Sequence, residues 1–452
     1  MRIWSVVKNS YRKEENDMVI LDRTVAPEMR QIENFSIGVP ACHVMHNGIP
    51  LHIIQAGDED VVRFDLLIKG GQWEQTAPLQ AMFTNRMLRE GTRTLSSARI
   101  AERLDYYGAW LDLSSSVNYG FVTLYSLNKY FPQTLEILAS MVKEPAFPEK
   151  ELSVIAESNK QQFLVNAERV EVITRKQLNR SLFGLSHPLG KYAQAKDYDC
   201  IHSGMLRDFY RKYYRSNNSS AYVSGKVTSE IIRCIERFFG DEAWGDMKES
   251  SQHIAYMPEP DGRKRVFIER PGAMQSSLKI GGFTINRLHP DYHKLRVLVT
   301  LLGGYFGSRL MSNIREEKGY TYGIGANLVC YPDKGMLIIS TEAANEYINQ
   351  IIKEVYKEID ILSSEKVPDE ELNMVKNYML GDMCRSYEGA FSLSDAWIFI
   401  ETAGLKDCFF EESLDAIRSV TASDLQALAQ KYLRKEHLIE VIAGKKMPGE
   451  AS

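Results

Sequence analysis

The sequence predicts an α+β protein built from two repeated units, and three observations carry that prediction. Strand-period and helix-period stretches alternate through the first half of the chain. The second half repeats their order, down to the punctuation Phe147-Pro148-Glu149-Lys150-Glu151-Leu152 against Val367-Pro368-Asp369-Glu370-Glu371-Leu372. With 452 residues, 44% of them hydrophobic and 25% charged, the chain is long enough for several cores and has an ordinary globular composition. A chance match of one Pro-acidic-Leu pattern is the competing account of the punctuation taken alone. The units are expected at 20–246 and 266–445, with the polar, Pro-containing stretch 247–265 as linker.

The elements follow in order. His43-Val44-Met45-His46 and Ile49–Ile54 flank Asn47-Gly48, a pair that favours a tight hairpin because both residues tolerate positive φ. In Val61–Lys69 the residues Val62, Phe64, Leu66 and Ile68 alternate, which predicts a strand with one apolar face, followed by Gly70-Gly71. Leu79, Met82, Phe83 and Met87 share one helical face, and Gly91 stops that helix. Ser97 caps a second helix carrying Ile100, Leu104 and Tyr107, ahead of strands around Leu111–Leu113 and Phe121–Tyr125. Helices are then expected over Phe131–Val142, over Glu149–Ala167 and to about Phe183. In the second half a strand Ser277–Ile280 ends at Gly281-Gly282. A helix through Leu295 to Leu302, strands at Tyr322–Cys330 and Gly335–Thr341 and a helix Tyr347–Ile361 complete the repeat.

Charge and cysteine usage exclude several functions. Against 59 Asp+Glu stand 55 Lys+Arg, a formal charge of -4, so the chain has no basic field to hold nucleic acid. Cys42, Cys200, Cys234, Cys330, Cys384 and Cys408 form no Cys-x-x-Cys pair, which reads as reduced thiols. The segment Met1–Asn16 is too short in apolar run for a secretory signal, and no stretch of about 20 apolar residues occurs. A cytoplasmic protein without a membrane partner is therefore expected.

Two stretches carry chemistry. The first is Leu302-Gly303-Gly304-Tyr305-Phe306-Gly307-Ser308-Arg309-Leu310-Met311-Ser312-Asn313-Ile314-Arg315-Glu316-Glu317-Lys318-Gly319-Tyr320-Thr321-Tyr322. A helix end, a glycine and a strand in this order can present a guanidinium and a phenol to one peptide carbonyl, both as hydrogen-bond donors. Two donors at a developing oxyanion are worth roughly 3–4 kcal/mol each. The competing account from spacing alone pairs Arg315 with a nearby carboxylate and leaves Tyr322 half-buried. The stretch resembles the C-terminal half of the pitrilysin-type (inverzincin) zinc metallopeptidases, among them mitochondrial processing peptidase and the insulin-degrading enzymes. Their pattern there is GG…SRL…LREEKGLAY. The resemblance implies that Arg315 and Tyr322 bind substrate beside the metal.

The second stretch is Leu79-Gln80-Ala81-Met82-Phe83-Thr84-Asn85-Arg86-Met87-Leu88-Arg89-Glu90-Gly91-Thr92. Peptide-cleaving members of the family read close to HFLEHMLFKGT here, with two histidines on zinc and a glutamate on the attacking water. Anchored on Gly91-Thr92, those three positions are Met82, Asn85 and Arg86, a thioether, an amide and a permanent cation that repel a zinc ion rather than hold it. The family's further glutamate ligand traces to about Glu157-Ser158. The resemblance spans roughly residues 30 to 440. It implies two homologous α/β-sandwich domains, their mainly antiparallel sheets covered by helices, forming half of a clamshell.

What remains is the pattern of a non-catalytic subunit, resembling the partner chain of two-chain bacterial peptidases and the alpha subunit of mitochondrial processing peptidase. On this reading the chain binds no cofactor and is inactive alone. Zinc sits in a homologous partner of a heterodimer, and Arg315 and Tyr322 contribute substrate binding and carbonyl polarisation. A homodimer is the expected state of the chain by itself. Substrate peptide would add as a strand, with Leu111–Ser115 the candidate edge. The alternatives are a scaffold protein of the same fold and a peptidase with other zinc ligands among His43, His46, His289 and His293. Against the latter, His43 and His46 point to opposite faces if both lie in a strand, and Pro290 places His289 outside the helix that holds His293. His187, before Pro188-Leu189-Gly190, is expected to be structural. The glycines of Leu302–Gly307 lack the Lys-Ser/Thr of a phosphate loop.

Overall fold

A computed structural model describes Thr24, Phe35, 37–246 and 256–446. The segment Met1–Asn16, the part of 20–36 other than Thr24 and Phe35, and the linker stretch 247–255 lie outside the described residues. By its contacts the chain divides into a short unit Met1–Asn34 and a large one, Phe35–Ser452, which holds every element below.

Each half of the large unit forms one sheet. The first half contributes β1 Ala41–Val44, β2 Pro50–Gln55, β3 Val61–Lys69, β4 Trp110–Ser115, β5 Tyr119–Leu127 and β6 Ser219–Gly225, arranged β1-β2-β6-β3-β5-β4. Its helices are α1 Gln80–Arg86, α2 Ser97–Tyr106, α3 Phe131–Lys143, α4 Glu149–Ala167, α5 Val170–Phe183, α6 Ala195–Asp199, α7 Ser203–Tyr213 and α8 Ser229–Ile235. The second half contributes β7 Arg265–Glu269, β8 Gln275–Thr284, β9 Thr321–Cys330, β10 Gly335–Ala344 and β11 Ile439–Gly444, in the order β7-β11-β8-β10-β9. Its helices are α9 Tyr292–Val299, α10 Ile348–Ser364, α11 Asp369–Ser386, α12 Ala390–Thr402, α13 Phe409–Ser419 and α14 Ala422–Tyr432.

The two orders coincide once β1 is set aside. In each sheet a late strand, β6 or β11, enters parallel to the strand on one side and antiparallel to the one on the other. The repeat read from the punctuation is thus a repeat of topology. Pro148 and Pro368 both cap a long helix in extended conformation and are followed by acidic first turns, Glu149/Glu151 and Asp369/Glu370/Glu371, where negative charge favours the helix N-terminus. The hairpin also forms as expected, with Cys42 opposite His52, and Gly48 takes φ +90° in its turn.

Two expectations change, for one reason. The strand β3 is buried on both faces rather than one: Leu67 is as buried as Leu66, and even Arg63 and Asp65 are almost inaccessible. The covering layer is α12, which comes from the other half and packs on β2 and β6, with Tyr222 donating to Glu401 at 2.8 Å and the Trp397 indole donating to the Gly38 carbonyl at 2.9 Å. Reciprocally, α5 of the first half packs on β8 and β11 of the second sheet. Gly281-Gly282 consequently does not end the strand β8. It runs through them because α5 lies so close that a Cβ on Gly281 would stand 2.9 Å from Leu178 Cδ2. Each half therefore lends the other one helix. The principal core lies on the other face of the first sheet, under α1–α4, α7 and α8. All six cysteines are free thiols, and no helix among the described residues is long and apolar enough to cross a membrane.

Candidate functional site

The helix α1 is set by side chains at its own start. Gln80 accepts from the Thr76 amide at 2.9 Å and donates to the Met205 carbonyl at 2.8 Å, tying the helix to α7, and α1 then packs over β4 and β5. On this frame the three substituted positions do different things. Met82 is half-buried and adds to the apolar core. Asn85 is buried, and its amide donates to the Phe121 carbonyl at 3.3 Å and to the Tyr214 hydroxyl at 3.1 Å. Burial pushes the Tyr214 phenol well above its ordinary pKa, so the pair stays neutral. Arg86 is exposed and donates to Asn159 Oδ1 at 3.0 Å, while Asn159 itself donates to the Ile155 carbonyl at 2.7 Å.

The side chain of α4 that faces Arg86 is Asn159, neither Glu157, which is exposed and accepts from Gln161 at 2.7 Å, nor Ser158. The side chains that the fold would set before a zinc ion are then a thioether, a neutral amide whose Nδ2 is bonded to Tyr214 and Phe121 while its buried Oδ1 has no hydrogen-bond partner among the described residues, and a guanidinium bonded to a second amide. Zinc wants imidazole, thiolate or carboxylate, and a fixed cation in the site opposes a second one. The residues do not fit the metal. Sequence reasoning missed Tyr214 and Gly120. The glycine inside β5 was a legible sign of close approach, since a Cβ there would stand 3.0 Å from the Tyr214 hydroxyl and 3.1 Å from Asn85 Nδ2.

The segment after the glycine-rich loop is built to hold one cation open. A helical turn, Met311–Glu317, ends at Gly319, whose φ of +65° turns the chain into β9. Just before this turn Arg309 makes a two-pronged pair with Glu371 of α11, at 2.8 Å on each side, and just after it Lys318 pairs with Glu354 of α10 at 3.1 Å. Arg315 has no carboxylate partner among the described residues. Its guanidinium lies against two aromatic faces, 4.6 Å from the Phe306 centroid and 5.5 Å from that of Tyr322. Tyr322 is 90% exposed and Phe306 62%. The competing account, a paired Arg315 and a half-buried Tyr322, does not hold. Gly303 is required by packing, since a Cβ would meet the Ala326 amide at 2.6 Å, and not by any phosphate.

No hydrogen bond, ion pair or ring contact among the described residues joins Arg315 or Tyr322 to Met82, Asn85 or Arg86; the two groups belong to different halves. Of the histidines, His187 is buried between Trp73, Phe183 and Tyr256 and accepts from the Leu189 amide at 3.0 Å, a structural role as expected. His289 accepts from the Asp291 amide ahead of α9, and His293 is buried against Phe409. His43 and His46 do not diverge, however. The strand β1 ends at Val44, so His46 lies in the turn, where alternation no longer applies, and both rings reach Glu236.

Residues 54–187 match the family described as insulinase, peptidase family M16, and residues 201–379 match the peptidase M16 inactive domain. An uncharacterized zinc protease of Rickettsia bellii is 24% identical over 434 residues, covering 92% of this chain and 99% of that protein. The uncharacterized zinc protease YmxG of Bacillus subtilis is 22% identical over 363 residues, covering 80% of this chain and 87% of that one. In fold, the chain is similar to a peptidase M16 inactive domain from Pseudomonas fluorescens, with TM-score 0.78, 22% identity, and coverage of 91% of this chain and all of that one. A protease from Helicobacter pylori superposes with TM-score 0.80 at 16% identity, over 90% of this chain and 100% of the other. With both halves matched in order, over well more than half its length, the chain belongs to the peptidase M16 family.

Proposed function

We propose that this chain is the non-catalytic subunit of a heterodimeric zinc metallopeptidase, inactive alone. On this reading it forms half of a clamshell closed by a homologous subunit that carries zinc. The observation that carries the reading is the contrast between the two sites. At α1 a metal position holds Met82, Asn85 and Arg86, whereas Arg315 stands without a carboxylate partner among the described residues, beside the exposed Tyr322. A guanidinium kept free of carboxylates and a phenol open to solvent are what a substrate carbonyl needs, because both donate and neither has to abandon a partner first. In the assembled pair Arg315 and Tyr322 hold and polarise the scissile carbonyl, and the partner supplies the metal and the base. The edge of the first sheet at β4, which among the described residues pairs only with β5, offers backbone groups for an extended peptide. Zinc bound at Met82/Asn85/Arg86 forms no part of this proposal, and the chain works in the cytoplasm.

The test is to mix the purified chain with a homologous subunit that has an intact His-x-x-Glu-His helix and to follow hydrolysis of a quenched peptide. Activity in the mixture and in neither chain alone is the expected result. Full activity of the partner alone, unchanged by this chain, would point instead to the scaffold reading.

A further inference from the structure

Beyond the peptidase-type positions, one cluster of side chains has the composition and spacing of a metal site. Along β1 and the turn after it, His43 and His46 approach Glu236, which opens the helical turn following α8. His46 Nδ1 is 3.1 Å from Glu236 Oε1 and 3.7 Å from Asp241 Oδ1, and the ligating atoms of the three lie within 4.8 Å of one another. Ligands about 2.0–2.2 Å from a tetrahedral zinc ion stand roughly 3.3–3.6 Å apart, so the observed spacings bracket the edge of that tetrahedron. His43 Nε2 is 3.0 Å from the other oxygen of Glu236, placed to orient the carboxylate as an outer-shell partner does. Among the described residues neither Glu236 nor Asp241 forms an ion pair with a lysine or arginine, which leaves the two carboxylates to the imidazoles.

The cluster is also held in place by groups that are not ligands. Asn47, between the two segments, receives its position from three hydrogen bonds: its amide donates to the Gly240 carbonyl at 2.9 Å, and its side chain donates to the carbonyls of Phe239 at 2.6 Å and Glu242 at 3.0 Å. The His46 amide donates to Glu236 Oε1 at 2.7 Å. Gly240 is glycine because a Cβ would stand 2.7 Å from Glu236 Oε1 and 3.0 Å from Met45 Cβ, so the backbone leaves the carboxylate its room. The fold therefore fixes the backbone of both segments and the Glu236 carboxylate before any ion arrives, which removes part of the ordering cost.

We propose that His46, Glu236 and Asp241 bind a divalent transition ion of the zinc type, with His43 orienting Glu236. The ion fastens the first hairpin to the segment after α8, joining residues that are 190 positions apart in the chain. It lies outside the Met82/Asn85/Arg86 helix and takes no part in hydrolysis. The imidazole and carboxylate set favours zinc over magnesium, which prefers oxygen ligands alone.

The experiment is titration of Zn²⁺, and separately Mg²⁺, into the untagged full chain by calorimetry, with thermal unfolding as a second readout. One zinc per chain is expected, with a raised unfolding temperature and no comparable response to magnesium. His46→Ala and Asp241→Ala, both at exposed side chains, should weaken zinc binding by about tenfold or more without changing the metal-free unfolding temperature appreciably. Binding that survives both substitutions undiminished, or the lack of any zinc binding at hundreds-of-micromolar concentration, overturns the proposal. The subunit reading is decided by activity on mixing, so the two proposals fail separately.

Discussion

Replacing Arg315 by alanine separates chemistry from folding. Its guanidinium touches the rings of Phe306 and Tyr322 and pairs with no carboxylate among the described residues, so its removal strands no buried charge. Cation–π contacts at such open positions are worth roughly 0.5–1 kcal/mol each, which bounds the loss of stability at about 1–2 kcal/mol. A donor removed from a developing oxyanion costs about 2.7–4 kcal/mol, or about 10²- to 10³-fold in kcat. Tyr322→Phe removes a hydroxyl from a side chain that is 90% exposed and should lower kcat comparably while leaving the fold untouched. The assay is steady-state hydrolysis by the reconstituted pair, with complex formation and the unfolding temperature of this chain measured in parallel. Arg309→Ala is the control with the opposite signature, because it abandons Glu371 and lowers stability first. An unchanged kcat in both Arg315→Ala and Tyr322→Phe, with the complex intact, refutes the reasoning. So does a rise in Km alone, which would mean that the pair binds substrate and transition state equally.

Three further outcomes are expected. Asp65 is buried with Arg63 Nη2 2.8 Å away, so Asp65→Ala leaves the guanidinium on β3 without that partner under α12; urea unfolding should show a loss of about 3–5 kcal/mol. By contrast Asp395→Ala, which removes the exposed second carboxylate 2.7 Å from the same guanidinium, should cost at most about 1 kcal/mol. Burial, reinforced by Arg296 and opposed by Glu412 at 3.8 Å, lowers the His293 pKa from 6.5 to about 4. The unfolded chain then takes up that proton first as pH falls, so the contribution of His293 is complete above about pH 6.5 and is lost between there and about pH 4. The slope is roughly 1.4 kcal/mol per pH unit, and His293→Gln should remove that slope from the difference between pH 7 and pH 4.5 unfolding curves. Gly281→Ala forces a Cβ against Leu178 at 2.9 Å and should destabilise by about 1–3 kcal/mol, with Leu178→Ala restoring part of the loss in the double variant.

What was legible in the sequence is what neighbouring residues decide between themselves. Asn47-Gly48 favours its turn, Pro148 and Pro368 with their acidic successors start helices, and the alternation of Val62, Phe64, Leu66 and Ile68 marks a strand. Such signals act over a few bonds and survive in an unfolded chain. The substitutions Met82, Asn85 and Arg86 were equally plain, because donor chemistry belongs to the side chain itself. Tertiary structure decided which distant groups meet. Arg86 finds Asn159 73 positions away, one residue beyond the sequence trace, since a helix turns about 100° per residue and a shift of one position changes the face. The polar face of β3 is buried because α12 arrives from the other half, and Gly281 is glycine because α5 crosses in return. Whether Arg315 is paired or open was settled by the fold, which gives Glu371 to Arg309 and Glu354 to Lys318 and sets Arg315 against Phe306 and Tyr322. These pairings follow from closing the chain around two sheets that share helices, a condition that no local run of residues contains.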